Sequence, residues 1–308
     1  MVNQLVKPVN KRGLSQQKIE AMTGYIYILP ALLIIALIIL YPIISTVQMS
    51  FYGYRFTDPT SINKFVGFNN YIYLLTNALF WKSLWNNLYI TGSSVAIQMV
   101  IGMIIALLLN EKFRGRGIVR GLILLPWVTP TFVAAFMFSW ILDARFGIFN
   151  ILLVELGILS EGYPFFTNLE TVVGSVVLAY VWRGLPWVIL VLLSGLQMVP
   201  ETLVDAAKVD GANAWKRFWN VTVPSMKYII VITVFLRTIW TFNTFDYLFL
   251  LTGGGPMNTT MTWPLQIYKT AFETFMFSRA SAMGGILLVF MSVFMVLYLK
   301  FTSGDEEL

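Results

Sequence analysis

Three ionisable side chains lie inside long apolar stretches: Arg183, within Trp182-Arg183-Gly184-Leu185-Pro186, and Arg237 and Asp246, on either side of Trp240. An unpaired charge in hydrocarbon costs several kcal/mol, so such groups mark a cavity or a partner. Arg237 and Asp246 are nine residues apart, about 180° around a helix, so they cannot pair with each other and each needs a partner from another span or chain. Glycine and proline beside Arg183 invite a local break in its helix. Other chemistry is scarce. The chain has no cysteine and no histidine, which excludes disulfides, thiolate zinc sites, Cys or His nucleophiles and imidazole acid–base work. It has no Gly-Lys dipeptide and hence no G-x-x-x-x-G-K-S/T phosphate loop, so nucleotide hydrolysis must come from elsewhere or not at all. Gly253-Gly254-Gly255-Pro256 offers backbone amides to an anion, but it ends an apolar run and leads into a proline, which favours a tight re-entry turn. No catalytic residue and no metal-ligand set is identified.

A second kind of chemistry, docking, is offered by residues 200–224. Pro200 suits the first turn of a helix, and Leu203, Val204, Ala207, Gly211, Ala214, Trp215 and Phe218 fall on one face at helical spacing. The spacing predicts a short amphipathic helix with Gly211 as a break or bend in its middle. Ala206, Ala207 and Gly211 let another surface approach the backbone closely. Trp215 and Trp219 suit a helix lying on lipid; the small residues suit one presented to a cytoplasmic partner.

The elements that must position these residues are set by composition. Of 308 residues, 57% are hydrophobic and 12% charged, and the mean hydropathy is +0.74, whereas a soluble chain is nearer a quarter charged. A spanning helix needs roughly 20 mostly apolar residues because its backbone must bond internally. Six stretches qualify: 23–48, 84–110, 121–142, 171–197, 228–251 and 280–299. The first follows a basic segment as a secretory signal would, but it is much longer than a signal core and lacks a clear cleavage site, so it is read as an anchor. With the N-terminus inside, the inner segments carry thirteen Lys and Arg residues and the outer ones six, which favours both termini in the cytoplasm. The expected organisation is a cytoplasmic segment at 1–22, a six-span domain at 23–299 and a cytoplasmic tail at 300–308, whose Asp305-Glu306-Glu307 is a solvated end. Outer segments 49–83 and 143–170 are expected to form short interfacial helices. The surplus of basic residues belongs to membrane-flanking loops and not to nucleic-acid binding. The fold class is an all-α membrane protein with a cytoplasmic helix between spans four and five.

Asp205-Ala206-Ala207, Asp210-Gly211-Ala212, Phe218 and Val221-x-Val223-Pro224 resemble the Glu-Ala-Ala loop of permease subunits of binding-protein-dependent ABC importers. Four further stretches are similar to the maltose-transporter type of sugar permease. They are Phe65-Val66-Gly67-Phe68-x-Asn70-Tyr71, Arg120-x-x-x-Leu124-x-Pro126, Trp182-Arg183, and Phe245-Asp246 with Leu251-Thr252-Gly253-Gly254-Gly255-Pro256. The likeness covers nearly the whole chain and is specific as a set. Asp205 stands where the family usually has Glu, which shortens the side chain and keeps the charge.

The resemblance implies that 200–224 is a coupling loop, with Asp205, Ala206, Ala207, Asp210 and Gly211 docking into a cytoplasmic ATPase. It implies two ATPase copies that bind ATP and Mg, so that this chain needs no cofactor of its own. It further implies a second, homologous permease and an extracytoplasmic solute-binding protein, all at the inner membrane of a bacterium or archaeon. It places the sugar path between spans four and five, at Tyr180, Arg183, Gly184, Trp187, Trp240, Thr244 and Asp246. Aromatic faces with a few hydrogen-bonding groups suit a saccharide. For a single Trp or Tyr, packing against helix or lipid is an equal alternative. The competing reading is an ion-coupled secondary carrier using Asp246, Arg183 and Arg237 as coupling charges; against it stand the single six-span unit without a repeat and the partner-like loop. A channel lacks any pore signature.

Overall fold

The computed structural model describes residues 13–54, 60 and 64–303. Lys7, Lys11, Arg12 and Arg55 of the charge count, and Asp305-Glu306-Glu307, lie outside the described residues. Helix α1, Gly13–Ile35, and α2, Tyr41–Ser50, join through a wide π turn at Ala36–Leu40. The turn lies where Pro42 has no N–H to give the preceding turn, and a wider turn absorbs the missing bond. Tyr52–Gly53 (β1) then pairs antiparallel with Lys64–Phe65 (β2), and Asn69–Thr76 (α3) follows. Asn70, buried, ties the segment together by donating to the carbonyls of Ser50 at 2.7 Å and Tyr52 at 3.1 Å.

Helix α4, Ala78–Asn110, starts six residues before the expected span. Its true beginning is set by Asn77, whose side chain accepts from the Leu79 N–H at 2.8 Å, an N-cap that outweighs the polar pair Lys82-Ser83. Helices Val172–Leu196 (α9) and Phe277–Ser303 (α16) match spans four and six to within a few residues. Among the described residues, four helical stretches are long and apolar enough to cross a membrane: Met22–Ser50, Ala78–Asn110, Val172–Leu196 and Phe277–Lys300.

The third and fifth expected spans are not straight rods. Arg116–Ile123 (α5) and Leu125–Val128 (α6) meet Thr131–Ile141 (α7) at 96°. Thr129, extended because Pro130 follows it, makes the corner. The second broken pair joins Ala214–Ser225 to Lys227–Phe242 (α13) at 71°. Beyond α13, Asn243-Thr244-Phe245 interrupts the helix before Asp246–Leu251 (α14). Counting each bent pair once gives six spans. Ile148–Glu155 (α8) is a short helix within residues 143–170, and Trp263–Tyr268 (α15) follows the glycine turn at 253–256.

The expected coupling helix is two short helices. Glu201–Val209 (α10) ends where Gly211 takes φ +76°. There the Ala212 N–H donates to Ala207 O at 2.9 Å and the Gly211 N–H to Lys208 O at 3.0 Å, the paired bonds of a Schellman cap. Asn213 then caps Ala214–Arg217 (α11), accepting from the Lys216 N–H at 2.8 Å. A π turn, Phe218–Thr222, and Val223–Ser225 (α12) complete the segment. Gly211 separates two helices here and does not bend one.

Packing centres on α4 against α9. Gly102 lets them touch, since a Cβ there would lie 2.8 Å from Val188 Cγ1. One apolar cluster joins Ala106 and Leu109 to Ile189, Leu192, Leu196 and Met226, placing the C-terminal ends of α4 and α9 at the same end of the bundle. Another, at the opposite end, joins Ile90, Ala134, Phe138, Val176, Tyr247 and Leu265.

Candidate functional site

The glycine turn is closed by its own neighbours. Gly253 and Gly254 have φ +57° and +87°. The Thr252 and Thr260 hydroxyls share a bond of 2.8 Å, and Thr260 Oγ1 donates to Gly255 O at 2.8 Å. Lys82 Nζ and Asn86 Nδ2 of α4 donate to Met257 O and Asn258 O at 3.0 and 3.1 Å. The turn is a re-entry connection.

Between the two apolar clusters, α9 and α13 each turn one face towards a cavity of about 160 Å³. Tyr180, Arg183 and Gly184 from α9 line it, and Arg237, Trp240, Thr241 and Thr244 from α13 and its end face them. The α9 set follows i, i+3, i+4 and the other i, i+3, i+4, i+7, each the spacing of a single helical face. Trp127 of α6 and Tyr247 of α14 complete the lining. The bends deliver both, since α6 ends at the 96° corner and α14 begins after the break at Asn243-Thr244-Phe245.

Of the residues expected on the path, the cavity therefore brings together Tyr180, Arg183, Gly184, Trp240 and Thr244. Trp187 and Asp246 are not part of its lining. Trp187 instead packs against Trp240, edge to face at 4.8 Å between ring centroids. Asp246 is exposed at the first turn of α14, where the helix N-terminus favours an acidic side chain.

Each arginine finds a partner from another element. Arg183 Nη2 donates to Thr131 Oγ1 of α7 at 2.6 Å, and its Cζ lies 5.2 Å from the Tyr247 ring centroid, within cation–π range. Its Nε is buried without a hydrogen-bond partner. Arg237 Nε donates to Gln98 Oε1 at 3.0 Å, and Gln98 Nε2 donates to Tyr180 O at 2.8 Å. This chain of bonds links α13, α4 and α9 across the cavity wall. Gly184 makes room for it, because a Cβ there would press on Arg237 Nη2 and Gln98 Nε2, and both side-chain ends would have to move.

Sequence reasoning missed Gln98, Trp127, Thr241 and Tyr247, and singled out Arg237 only as a charge. A signal for Gln98 existed. Ser83, Asn87, Thr91, Ser94 and Gln98 recur at intervals of four and three residues on an otherwise apolar helix, and all five are buried. Asn87 Nδ2 donates to Phe242 O at 3.3 Å, and Ser83 bonds Gln266. The hydroxyls of Thr91, Ser94 and Thr241 are buried without a partner. Trp127 and Tyr247 carried no signal, because only the bends bring them to the cavity.

At the other end, α10 is exposed. Asp205 pairs with its own neighbour Lys208 at 2.8 Å, both largely in solvent. Val209 is 88% exposed, and Trp215 and Trp219 stand exposed and edge to face at 5.7 Å. Among the described residues no group of three or more His, Cys, Asp or Glu side chains has the arrangement of a metal site.

Residues 98–303 match the family described as binding-protein-dependent transport system inner membrane component. The chain is 33% identical over 286 residues to the trehalose/maltose transport system permease protein MalF of Thermococcus litoralis, covering 91% of this chain and 94% of that one. It is 34% identical over 271 residues to the inner membrane ABC transporter permease protein YcjO of Escherichia coli, covering 88% and 90%. Among solved structures, the fold is similar to a chain of a bacterial ABC transporter involved in the import of the acidic polysaccharide alginate. That likeness has a TM-score of 0.82 at 20% identity and covers 95% of this chain and 99% of that one.

Proposed function

The chain belongs to the binding-protein-dependent transport system inner membrane components, and from that premise we propose that its cavity is the passage point of a sugar or polyol during ATP-driven import. It is a membrane-spanning permease subunit with no ATPase site of its own. The observation that carries the substrate reading is the lining: Trp127, Tyr180, Trp240 and Tyr247 supply apolar ring faces, while Arg183, Thr241 and Thr244 supply polar groups. Rings cover the C–H faces of a pyranose, and the polar groups take its hydroxyls. Arg183, Thr241 and Thr244 are the polar side chains of the lining that a substrate hydroxyl would meet. The names of the relatives, which include trehalose and maltose systems, support a saccharide.

The segment from α10 to α12 is the coupling element. Asp205, Ala206, Ala207, Asp210 and Gly211 form its docking face, and both termini lie in the cytoplasm on this reading. An exposed carboxylate can exchange Lys208 for a partner's basic side chain, and alanines leave room for a cleft wall. The working assembly includes a second permease, two copies of an ATPase that bind ATP and Mg, and an extracytoplasmic binding protein. Closure of the ATPases moves the two coupling elements, and the bundle shifts the cavity from outward to inward access. The ion-coupled alternative gains nothing from the geometry, since Asp246 does not line the cavity.

The test is the ATPase rate of the purified assembly with sugar-loaded binding protein. Wild type is stimulated, whereas Trp240→Ala with Tyr180→Ala assembles and loses stimulation. Unchanged stimulation in that double variant would remove the cavity from the path.

A further inference from the structure

A second concave surface lies at the other end of α4, at its turn into α5, lined by Lys112, Phe113, Arg114 and Arg116. The helix end beside it is already neutralised from within, because Arg116 Nη1 donates to the carbonyls of Asn110 and Glu111 at 3.3 and 3.4 Å. Lys112 and Arg114 are exposed, and Glu111, also exposed, is the one carboxylate of residues 110–120. One turn along α5 from Arg116, Arg120 holds its Nε and Nη2 buried with no hydrogen-bond partner. Three cations thus gather around one hollow, with a fourth, Arg120, half-buried one turn further along α5.

The same short helix has a continuous apolar side. Ile118 is 72% exposed, with Val119 and Leu122 exposed on the same face, and Ile104 and Leu108 of α4 are exposed beside the hollow's other rim. A cationic hollow bordered by uncovered aliphatic side chains matches one class of ligand with both properties in a single molecule.

We propose that this hollow binds an anionic phospholipid, with Lys112, Arg114 and Arg116 around the phosphate and the acyl chains along Ile118, Leu122 and Leu108. Clustered basic side chains at a membrane-flanking turn attract acidic headgroups. The lipid would fix the α4–α5 corner at the end of the bundle that also carries the coupling element.

The experiment uses the assembled transporter in nanodiscs of phosphatidylcholine alone or mixed with phosphatidylglycerol, comparing wild type with the double variant Lys112→Gln, Arg114→Gln. Native mass spectrometry reads retained lipid, and melting temperature reads stabilisation. The expected result is that wild type retains phosphatidylglycerol and melts higher in its presence, whereas the double variant loses both effects. Lys112→Arg with Arg114→Lys keeps them. Equal retention and equal melting gain in the double variant would overturn the proposal. So would inorganic phosphate reproducing the melting gain, or loss of the ATPase subunit with phosphatidylglycerol still bound, which would assign the hollow to a protein partner. If the double variant fails to assemble, Arg114→Gln alone is read in the same way.

Discussion

Gly184 and Arg237 occupy one place in two ways, since the guanidinium lies where a Cβ on residue 184 would be. Gly184→Ala must shift the Arg237 guanidinium or the Gln98 amide, and the expected outcome is a lower melting temperature together with reduced sugar-stimulated ATP hydrolysis. Gln98→Leu removes the acceptor without adding bulk; a buried donor left unpaired costs about 1–3 kcal/mol, and thermal unfolding of the detergent-purified complex checks it. Arg183 is the contrasting case. It holds Thr131 through one nitrogen, and Thr131, half-buried at the start of α7, can rotate its hydroxyl to water instead. Arg183→Ala is therefore expected to leave melting within a few degrees of wild type while stimulation by sugar falls. A destabilised variant with normal stimulation would make Arg183 a structural residue. Both arginines were legible as charges in apolar stretches, because hydrocarbon makes an unpaired charge conspicuous. Gln98 was not, because a neutral amide barely perturbs a hydropathy pattern, and its role depends on which carbonyl of α9 it meets.

At the scale of elements, the apolar runs were legible and their breaks were not. Spans four and six run close to their apolar lengths, but α4 begins at the Asn77 cap, a local hydrogen bond that hydropathy does not register. The corner at Thr129-Pro130 rests on two residues within a continuous apolar run, so composition reads one span where the chain makes two helices. The segment 200–224 was legible as amphipathic and helical, and of the break or bend expected at Gly211 the structure makes the break. The cap geometry makes a sharper prediction. Gly211 sits at φ +76°, and a Cβ on it would meet nothing within 4 Å, so strain and not crowding limits substitution within this chain. Gly211→Asn, tolerant of left-handed backbone, should retain stability and uptake, and Gly211→Ala should cost about 1–2 kcal/mol. Gly211→Trp should insert into the membrane yet fail in transport because its side chain meets the docking partner. Membrane-fraction immunoblots beside uptake assays separate these outcomes, and normal uptake by Gly211→Trp would end the coupling assignment.

For the whole molecule, the cavity and the segment 200–224 lie apart and are joined through α9 and α13. The cavity lies where α9 and α13 face each other, and the coupling segment directly connects those same two helices. On the proposed coupling role, motion imposed on α10 would reach both cavity walls through α9 and α13, whose junction is close at Gly195 with Met226 and Ile229. The absence of a phosphate loop makes the purified chain inert towards ATP, and hydrolysis should appear only with the ATPase subunit present. Reconstituted uptake tests the central claim most directly. Liposomes containing this chain, its partner permease and the ATPase are given labelled sugar with binding protein outside and ATP inside. The account predicts accumulation that requires both ATP and binding protein, persists when proton and sodium gradients are collapsed, and stops with Gly211→Trp. Accumulation by this chain without the ATPase, driven by an imposed proton or sodium gradient, would contradict it.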